Sequence, residues 1–369
     1  MSLLIFAAIL GSYLLAHAAA WALSLFFFAP SSAIARLVLA FSLIVLALSF
    51  VLALFLTHRH LNTFTHVFYY LSGTWVGMLL NFLLVGAAAF LAAKVWGIEG
   101  EGLRILGTAA VLGAAVWTSW GIYNAQNIKV KEYKVAIENL PDAWVGKSIV
   151  QLSDIHYGYV FGPDFLKKIV ETANSLEPSL VAITGDLFDG TSTDFSKLAP
   201  ILKGLKAEYG AVAVFGNHET YLGTETAAKY LQGSEVRVLR DEVLPISGLS
   251  IAGLDYPPPG AKKDVAQTLR VMGFPKEEKN PAVLLWHVPA QIDAAKESGI
   301  SLVLSGHTHK GQMFPFGLIT RAIFGSYHYG IVTDGYFSAI TTTGVGGWGP
   351  PLRTSGQSEI VRIVLERKP

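Results

Sequence analysis

Side chains that bind metals follow short apolar segments at five places in the C-terminal part of the chain. In chain order they are Asp154 with His156, Asp186, Asn217 with His218, His287, and His307 with His309. Imidazole, carboxylate and amide ligands suit Mn, Fe or Zn, and the chain has no cysteine to add a thiolate. The pattern predicts a metal centre and excludes disulfide, thiol and cysteine-ligated metal chemistry.

Seven of these residues divide between two cations that share Asp186 as a bridging carboxylate. The first cation would take Asp154, His156 and His309, and the second would take Asn217, His287 and His307. A single cluster of this kind, such as Asp-x-His or Gly-Asp, would not by itself indicate a metal site. However, five of the six histidines after residue 125 fall in these clusters, which chance placement does not explain.

The clusters require elements that bring them together in space. Short segments rich in Val, Ile or Leu precede them, at Ser148–Leu152, Leu180–Thr184, Ala211–Phe215, Ala282–Leu285 and Ser301–Leu304. Amphipathic helix candidates alternate with these strands, at Asp164–Ser175, Phe195–Lys206 and Thr224–Gln232, and further strands are predicted at Lys129–Ile137, Gly330–Thr343 and Glu359–Glu366. Alternation of this kind predicts an α/β layered fold, in which sites form beyond the carboxyl ends of the strands.

The five clusters resemble the sequence blocks of the calcineurin-like metallophosphoesterases, in the same order. The matching segments are Asp154-Ile-His156, Gly185-Asp186, Gly216-Asn-His-Glu219, His287 and Gly306-His-Thr-His309. The resemblance implies a double β-sandwich flanked by helices and two divalent metal ions, manganese foremost, with Fe, Zn or Mg open. It also implies that His218 is not a ligand but a catalytic residue that contacts the phosphate and protonates the leaving group.

The N-terminal part of the chain differs sharply in charge. Residues 1–125 hold 6 of the 55 Asp, Glu, Lys and Arg residues, and four segments are long and apolar enough to cross a bilayer: Leu3–Phe28, Leu37–Leu56, Val67–Ala93 and Ile105–Tyr123. A signal peptide is disfavoured because no basic residue precedes the first segment and three more follow. We predict a transmembrane domain at 1–125 and a metallophosphoesterase domain at 126–369. The whole chain resembles the membrane-anchored bacterial branch of the family, and the segment Gly344–Arg353 is among the matching details.

Polar residues are scarce inside the predicted spans, which indicates an anchor rather than a pore. We expect His17 and Asn81 to form hydrogen bonds between helices; a functional role is the alternative. Basic residues flanking the spans slightly favour a catalytic domain on the cytoplasmic side of a bacterial inner membrane. The net charge of +1 gives no field that would attract nucleic acid, and the oligomeric state stays open.

The substrate is predicted from the apolar segment Met313–Phe324, which we expect to form a loop after the last metal ligand. It indicates a hydrophobic wall, including Phe314 and Phe316, that admits acyl or prenyl chains; packing in the core is the alternative. Further candidate substrate contacts are Tyr157, Asp255 and Arg353. We therefore expect a lipid-linked phosphodiester or pyrophosphate, such as a phospholipid or, by family analogy, UDP-diacylglucosamine. A membrane-tethered protein phosphatase and a sensor with a vestigial site are the alternatives.

Overall fold

The computed structural model describes residues 3–60, 62–190, 193–275 and 280–368. The chain forms two compact units. The first, called here the helical unit, comprises Met1–Tyr123 and the separate segment Gly349–Thr354. The second, called here the α/β unit, comprises Asn124–Trp348 and Ser355–Pro369.

Four long helices build the helical unit: α1 (Leu3–Phe28), α2 (Ala33–Arg59), α3 (Thr63–Trp96) and α4 (Glu101–Gln126). All four are long and apolar enough to cross a membrane. Local chemistry fixes their ends. Ser32 caps α2 by accepting a hydrogen bond from the Ala35 N–H at 3.0 Å, and Asn62 and Thr65 form a capping box at the start of α3.

Polar residues inside the helical unit link neighbouring helices. Trp75 Nε1 of α3 donates to His17 Nε2 of α1 at 3.1 Å, and Asn81 Nδ2 of α3 donates to Thr118 Oγ1 of α4 at 2.9 Å. The predicted interhelical hydrogen bonds of His17 and Asn81 are therefore confirmed. Each bond satisfies a polar group that would otherwise be unpaired in an apolar environment.

Twelve strands build the described part of the α/β unit. They are β1 (Lys129–Ile137), β2 (Ser148–Leu152), β3 (Leu180–Thr184), β4 (Ala211–Val214), β5 (Val236–Val238), β6 (Glu242–Ile246), β7 (Leu249–Gly253), β8 (Ala282–Leu285), β9 (Leu302–Ser305), β10 (Gly330–Asp334), β11 (Phe337–Thr341) and β12 (Glu359–Arg367). They form two six-stranded sheets, in the orders β1-β12-β2-β3-β4-β5 and β10-β11-β9-β8-β7-β6. Both sheets mix parallel and antiparallel pairs.

Seven α-helices lie between the strands along the described part of the α/β unit. They are α5 (Pro163–Ser175), α6 (Leu198–Leu202), α7 (Asn217–Leu222), α8 (Thr224–Tyr230), α9 (Val265–Val271), α10 (Ile292–Glu297) and α11 (Phe316–Phe324). Apolar residues of both sheets, including Val212 and Val283, form one core between the sheets. Two further cores lie under the helices, around Ile169 on one side and Leu269 on the other. The predicted double β-sandwich flanked by helices is confirmed.

Some predicted boundaries were wrong. The helix predicted at Phe195–Lys206 is reduced to α6, and the strand predicted at Gly330–Thr343 is the hairpin β10–β11, which turns at Gly335 with a φ of +63°. The segment Met313–Phe324, expected as a loop, contains the helix α11.

Candidate metal centre

The predicted ligands lie at the carboxyl ends of parallel strands from both sheets. Those of the first sheet follow β2, β3 and β4, which pair in parallel. Those of the second sheet follow β8 and β9, which also pair in parallel. The carboxyl ends of parallel strands lie at one edge of a sheet, so each sheet contributes its ligands from one edge.

Asp154, His156 and His309 form the first ligand group. Their donor atoms lie close together: His309 Nε2 is 3.2 Å from Asp154 Oδ1 and 3.1 Å from His156 Nε2. All three side chains are buried. This is the grouping that the sequence predicts for the first cation.

Asp186, His287, His307 and Asn217 form the second ligand group. Asn217 Oδ1 is 2.9 Å from His307 Nδ1 and 3.3 Å from His287 Nε2, which is itself 3.3 Å from Asp186 Oδ2. Asp186 Oδ2 is also 3.8 Å from His156 Nε2 of the first group. Asp186 therefore lies between the two groups, where a bridging ligand must be.

The donor set fits two divalent cations. Each group offers imidazole nitrogens and carboxylate oxygens that lie within 4.8 Å of one another. This combination of ligands suits Mn, Fe or Zn. His287 Nδ1 is hydrogen-bonded to the Thr184 carbonyl oxygen at 2.7 Å, which leaves Nε2 as the nitrogen that can bind a cation once it is deprotonated. Two such sites side by side are what a dinuclear centre requires.

Burial and charge set the protonation of the imidazoles. Burial holds the pKa of His156 well below its usual range, and burial together with the charge of His287 lowers the pKa of His307 to about 4. Burial also disfavours the charged form of His287, but the Asp186 carboxylate outweighs it and raises the pKa of His287 to about 10. A cation that binds His287 therefore displaces a proton.

The backbone of the centre is strained. Five of the seven ligands have a φ between +48° and +68°: Asp154, His156, Asp186, His307 and His309. This left-handed conformation costs non-glycine residues about 1–3 kcal/mol each and clusters at functional sites. Gly185, directly before Asp186, has a φ of +93°, and a Cβ there would lie 2.6 Å from His287 Nδ1.

His218 lies between the candidate ligand His156 and the carboxyl group of Asp189. Its ring centroid is 4.5 Å from that of His156, and its Nδ1 is 3.6 Å from Asp189 Oδ1. The His218 N–H donates to Asp186 Oδ1 at 2.9 Å, which ties its backbone to the bridging ligand. Burial raises the pKa of Asp189 to about 6. The arrangement can hold and orient a proton at the edge of the centre.

A cavity of about 730 Å³ opens onto the centre. Asp186, Asn217, His218, His307 and His309 lie along one part of its wall. Helix α11 supplies another part, with Phe316, Ile319, Thr320, Ile323 and Phe324. The cavity therefore places the metal ligands and an apolar helix surface around the same volume.

Four other predicted contacts lie elsewhere than on the cavity wall. Tyr157 is buried in the core of the first sheet, and Asp255 pairs with Arg240 through a 2.9 Å bond between Oδ2 and Nε. Phe314 is 43% exposed, while Arg353 is 1% exposed within the segment that belongs to the helical unit. Their roles in substrate binding stay predictions.

The residues of the cavity wall that were not predicted include Tyr221, Gln312 and Trp348. Tyr221 follows His218 by three residues on α7, so the helical period would have placed both on one side. Gln312 follows His309 by three residues, and its Nε2 donates to the Trp348 carbonyl at 2.9 Å. Trp348 carries no signal of its own, although it lies in the Gly344–Arg353 stretch that resembles the family.

Comparison with known proteins agrees with this geometry. Residues 147–311 match the family described as calcineurin-like phosphoesterase. An "Uncharacterized metallophosphoesterase" of Helicobacter pylori is 34% identical over 64% of this chain and 64% of its own length, so the chain spans less than two-thirds of that relative. A Campylobacter jejuni metallophosphoesterase is 30% identical over 81% of this chain and 84% of its own length.

One relative is named as a transmembrane protein. The "Transmembrane protein with metallophosphoesterase domain" of Danio rerio is 32% identical over 70% of this chain and 62% of its own length. Together with the four long apolar helices, this relative indicates a membrane protein. The chain belongs to the calcineurin-like metallophosphoesterase family.

Proposed function

We propose that this membrane protein hydrolyses a phosphodiester or pyrophosphate bond in a lipid-linked substrate, such as a phospholipid or a UDP-diacylglucosamine-like molecule. The observation that carries the proposal is the cavity, in which metal ligands and the apolar surface of α11 face the same volume. A phosphate bound at the ligands would leave an attached acyl or prenyl chain against the helix.

Two divalent cations, manganese foremost, would occupy the two ligand groups, with Asp186 between them. Bound there, divalent cations polarise phosphoryl oxygens and lower the pKa of a bound water. The chain itself supplies the fixed positions: six of the seven candidate ligands are buried, and His287 Nδ1 is hydrogen-bonded to the Thr184 carbonyl oxygen. Preorganised ligands need little rearrangement when the substrate binds.

His218 would donate a proton to the leaving oxygen. It lies on the cavity wall, and Asp189 would orient its ring, since Asp189 Oδ1 lies 3.6 Å from His218 Nδ1. General acid catalysis of this kind contributes about 10²–10⁴-fold to the rate. Asp189 would act as a positioning residue because it contacts His218 rather than the substrate.

The wall formed by α11 would bind the lipid chain. Phe316, Ile319 and Ile323 follow the spacing i, i+3, i+7, which places them on the cavity side of the helix. They are 41%, 55% and 66% exposed, so a ligand chain would remove their apolar surface from water. The protein would then draw substrate from the bilayer, with its catalytic domain on the cytoplasmic side of a bacterial inner membrane.

A series of alkyl p-nitrophenyl phosphodiesters, from ethyl to octyl, tests the lipid part of the proposal. We expect kcat/KM to rise with chain length by up to about fourfold per methylene, because burying one methylene contributes about 0.8 kcal/mol. The double variant Ile319→Asn, Ile323→Asn should flatten this dependence. The assay uses the full chain in detergent, with every ester below its critical micelle concentration.

Val271→Asn is the matched control, because Val271 is an apolar residue that is 78% exposed and lies on α9, not on the cavity wall. It should retain the chain-length dependence. A wild-type kcat/KM that does not change from ethyl to octyl would exclude a lipid-linked substrate. Faster hydrolysis of phosphopeptides than of any ester would favour the protein phosphatase instead.

A further inference from the structure

Helix α11 is amphipathic but turns its apolar side to solvent. None of its nine residues is buried, and Leu318, Ile319 and Ile323 are each more than half exposed. Gly317 lies against the segment that precedes the helix. Gly317 approaches the carbonyl oxygen of Lys310 so closely that a Cβ would lie 2.9 Å from it.

The exposed side of α11 divides into two surfaces. Phe316, Ile319 and Ile323 line the cavity. Leu318 and Ala322, one turn apart, are exposed but lie outside the cavity wall; we call this pair the outer ridge. A lipid chain bound in the cavity would therefore leave the outer ridge in water.

Arg321 lies on α11, and the backbone of Lys310 lies against Gly317 of that helix. The Arg321 side chain is exposed. Arg321 and Lys310 both lie close enough to His328 for their charges, after burial, to lower its pKa. An apolar ridge beside cationic groups is the pattern of helices that lie in the interface of membranes with anionic lipids.

We infer that the outer ridge of α11 inserts into the interface of the lipid bilayer, with Arg321 among anionic headgroups. Only Asn127 and Ile128 separate the apolar helix α4 from β1, so a bilayer around α4 would be tethered to the α/β unit by a short connection. Tethering at so short a range gives the ridge a high effective concentration of lipid. The inference does not require a lipid-linked substrate.

The absence of cysteine from the chain makes a direct test possible. A nitroxide spin label at Leu318→Cys reports its surroundings in the full chain, reconstituted in nanodiscs of phosphatidylethanolamine and phosphatidylglycerol. We expect the label to collide more often with O₂, which partitions into lipid, than with the water-soluble complex nickel ethylenediaminediacetate. Glu171→Cys, at an exposed position on α5, is the control and should show the reverse preference.

Each other outcome overturns the inference. A label at residue 318 with the same preference for the nickel complex as the label at residue 171 would place the ridge in water. Spin–spin broadening that disappears on mixing with unlabelled protein would show that a second copy of the chain covers the ridge. Because the readout does not use catalysis, it remains informative even if the alkyl ester series excludes a lipid-linked substrate.

Discussion

The ligand residues occupy a left-handed backbone that their side chains disfavour, and burial and charge control their protonation. His287 shows the consequence most clearly. In the metal-free protein the Asp186 carboxylate holds its pKa at about 10, above the ordinary value of 6.5. His287 is therefore protonated at neutral pH without metal, whereas a metal ligand must be neutral.

We predict that metal affinity rises with pH. Below pH 10 each binding event at the second ligand group releases one proton from His287, so the apparent association constant should increase about tenfold per pH unit from pH 7 to pH 9. Competition with a chelator of known affinity measures this slope. His307 should add nothing, since its pKa of about 4 leaves it neutral throughout.

An affinity for Mn²⁺ that is constant from pH 7 to pH 9 would contradict this prediction. The variant Asp186→Asn provides a check on the cause, because it removes the charge that raises the pKa of His287. It should weaken Mn²⁺ binding and also flatten the slope.

The sequence predicts the candidate ligands of the site better than it predicts the other residues of the cavity wall. The seven ligands were predicted from residue type and position after apolar strands, and the structure brings all seven together. The role of His218 came from family resemblance. Trp348 was missed because its place on the cavity wall depends on contacts between residues distant in the chain, such as its bond with Gln312.

Among the elements, the loops after β3 and β4 are joined by one buried carboxylate. Glu219 Oε2 accepts hydrogen bonds from the Asp186 N–H at 3.0 Å and the Gly216 N–H at 2.6 Å. Glu219 Oε1 accepts from the Leu187 N–H at 2.7 Å and the Phe188 N–H at 3.3 Å. Glu219 therefore holds the loop of the bridging ligand against the start of α7.

We predict that Glu219→Ala destabilises the protein and its metal site. An unpaired buried donor costs about 1–3 kcal/mol, so we expect the free energy of unfolding to fall by at least about 3 kcal/mol. Loss of such a supporting group also lowers metal affinity by about 10–100-fold. Thermal unfolding of the full chain in detergent, with and without Mn²⁺, measures both effects.

Glu171→Ala is the control, since Glu171 is exposed on α5. It should leave the unfolding temperature unchanged. A Glu219→Ala variant that unfolds at the same temperature as this control would show that the four backbone hydrogen bonds do not hold the loops.

The elements that position the ligands were more predictable than the others. Strands β2, β3 and β8 have the bounds expected from their apolar segments, because buried parallel strands are continuous runs of Val, Ile and Leu. Strands β5 and β6 are only half buried and gave no such signal. Helix α11 was misread as a loop because its apolar side faces solvent, the reverse of the usual pattern.

At the scale of the whole molecule, the scarcity of charge in the first 125 residues corresponds to four long apolar helices. The sequence could not show that Gly349–Thr354 belongs to the helical unit. That grouping rests on long-range contacts, among them the bond from the Arg353 N–H to the Gly121 carbonyl at 2.9 Å. Contacts of this kind depend on the folded backbone and leave no periodic pattern.

We propose above that the two ligand groups around Asp186 hold cations for phosphoester hydrolysis. The most direct test of this proposal is the hydrolysis of bis-p-nitrophenyl phosphate by the full chain with Mn²⁺, compared between wild type, Asp186→Asn and the control Asp164→Asn, whose carboxylate is exposed. We predict that Asp186→Asn lowers kcat by at least about a hundredfold, the effect of losing one group that stabilises the transition state. Asp164→Asn should match wild type. Undiminished hydrolysis by Asp186→Asn would contradict the account.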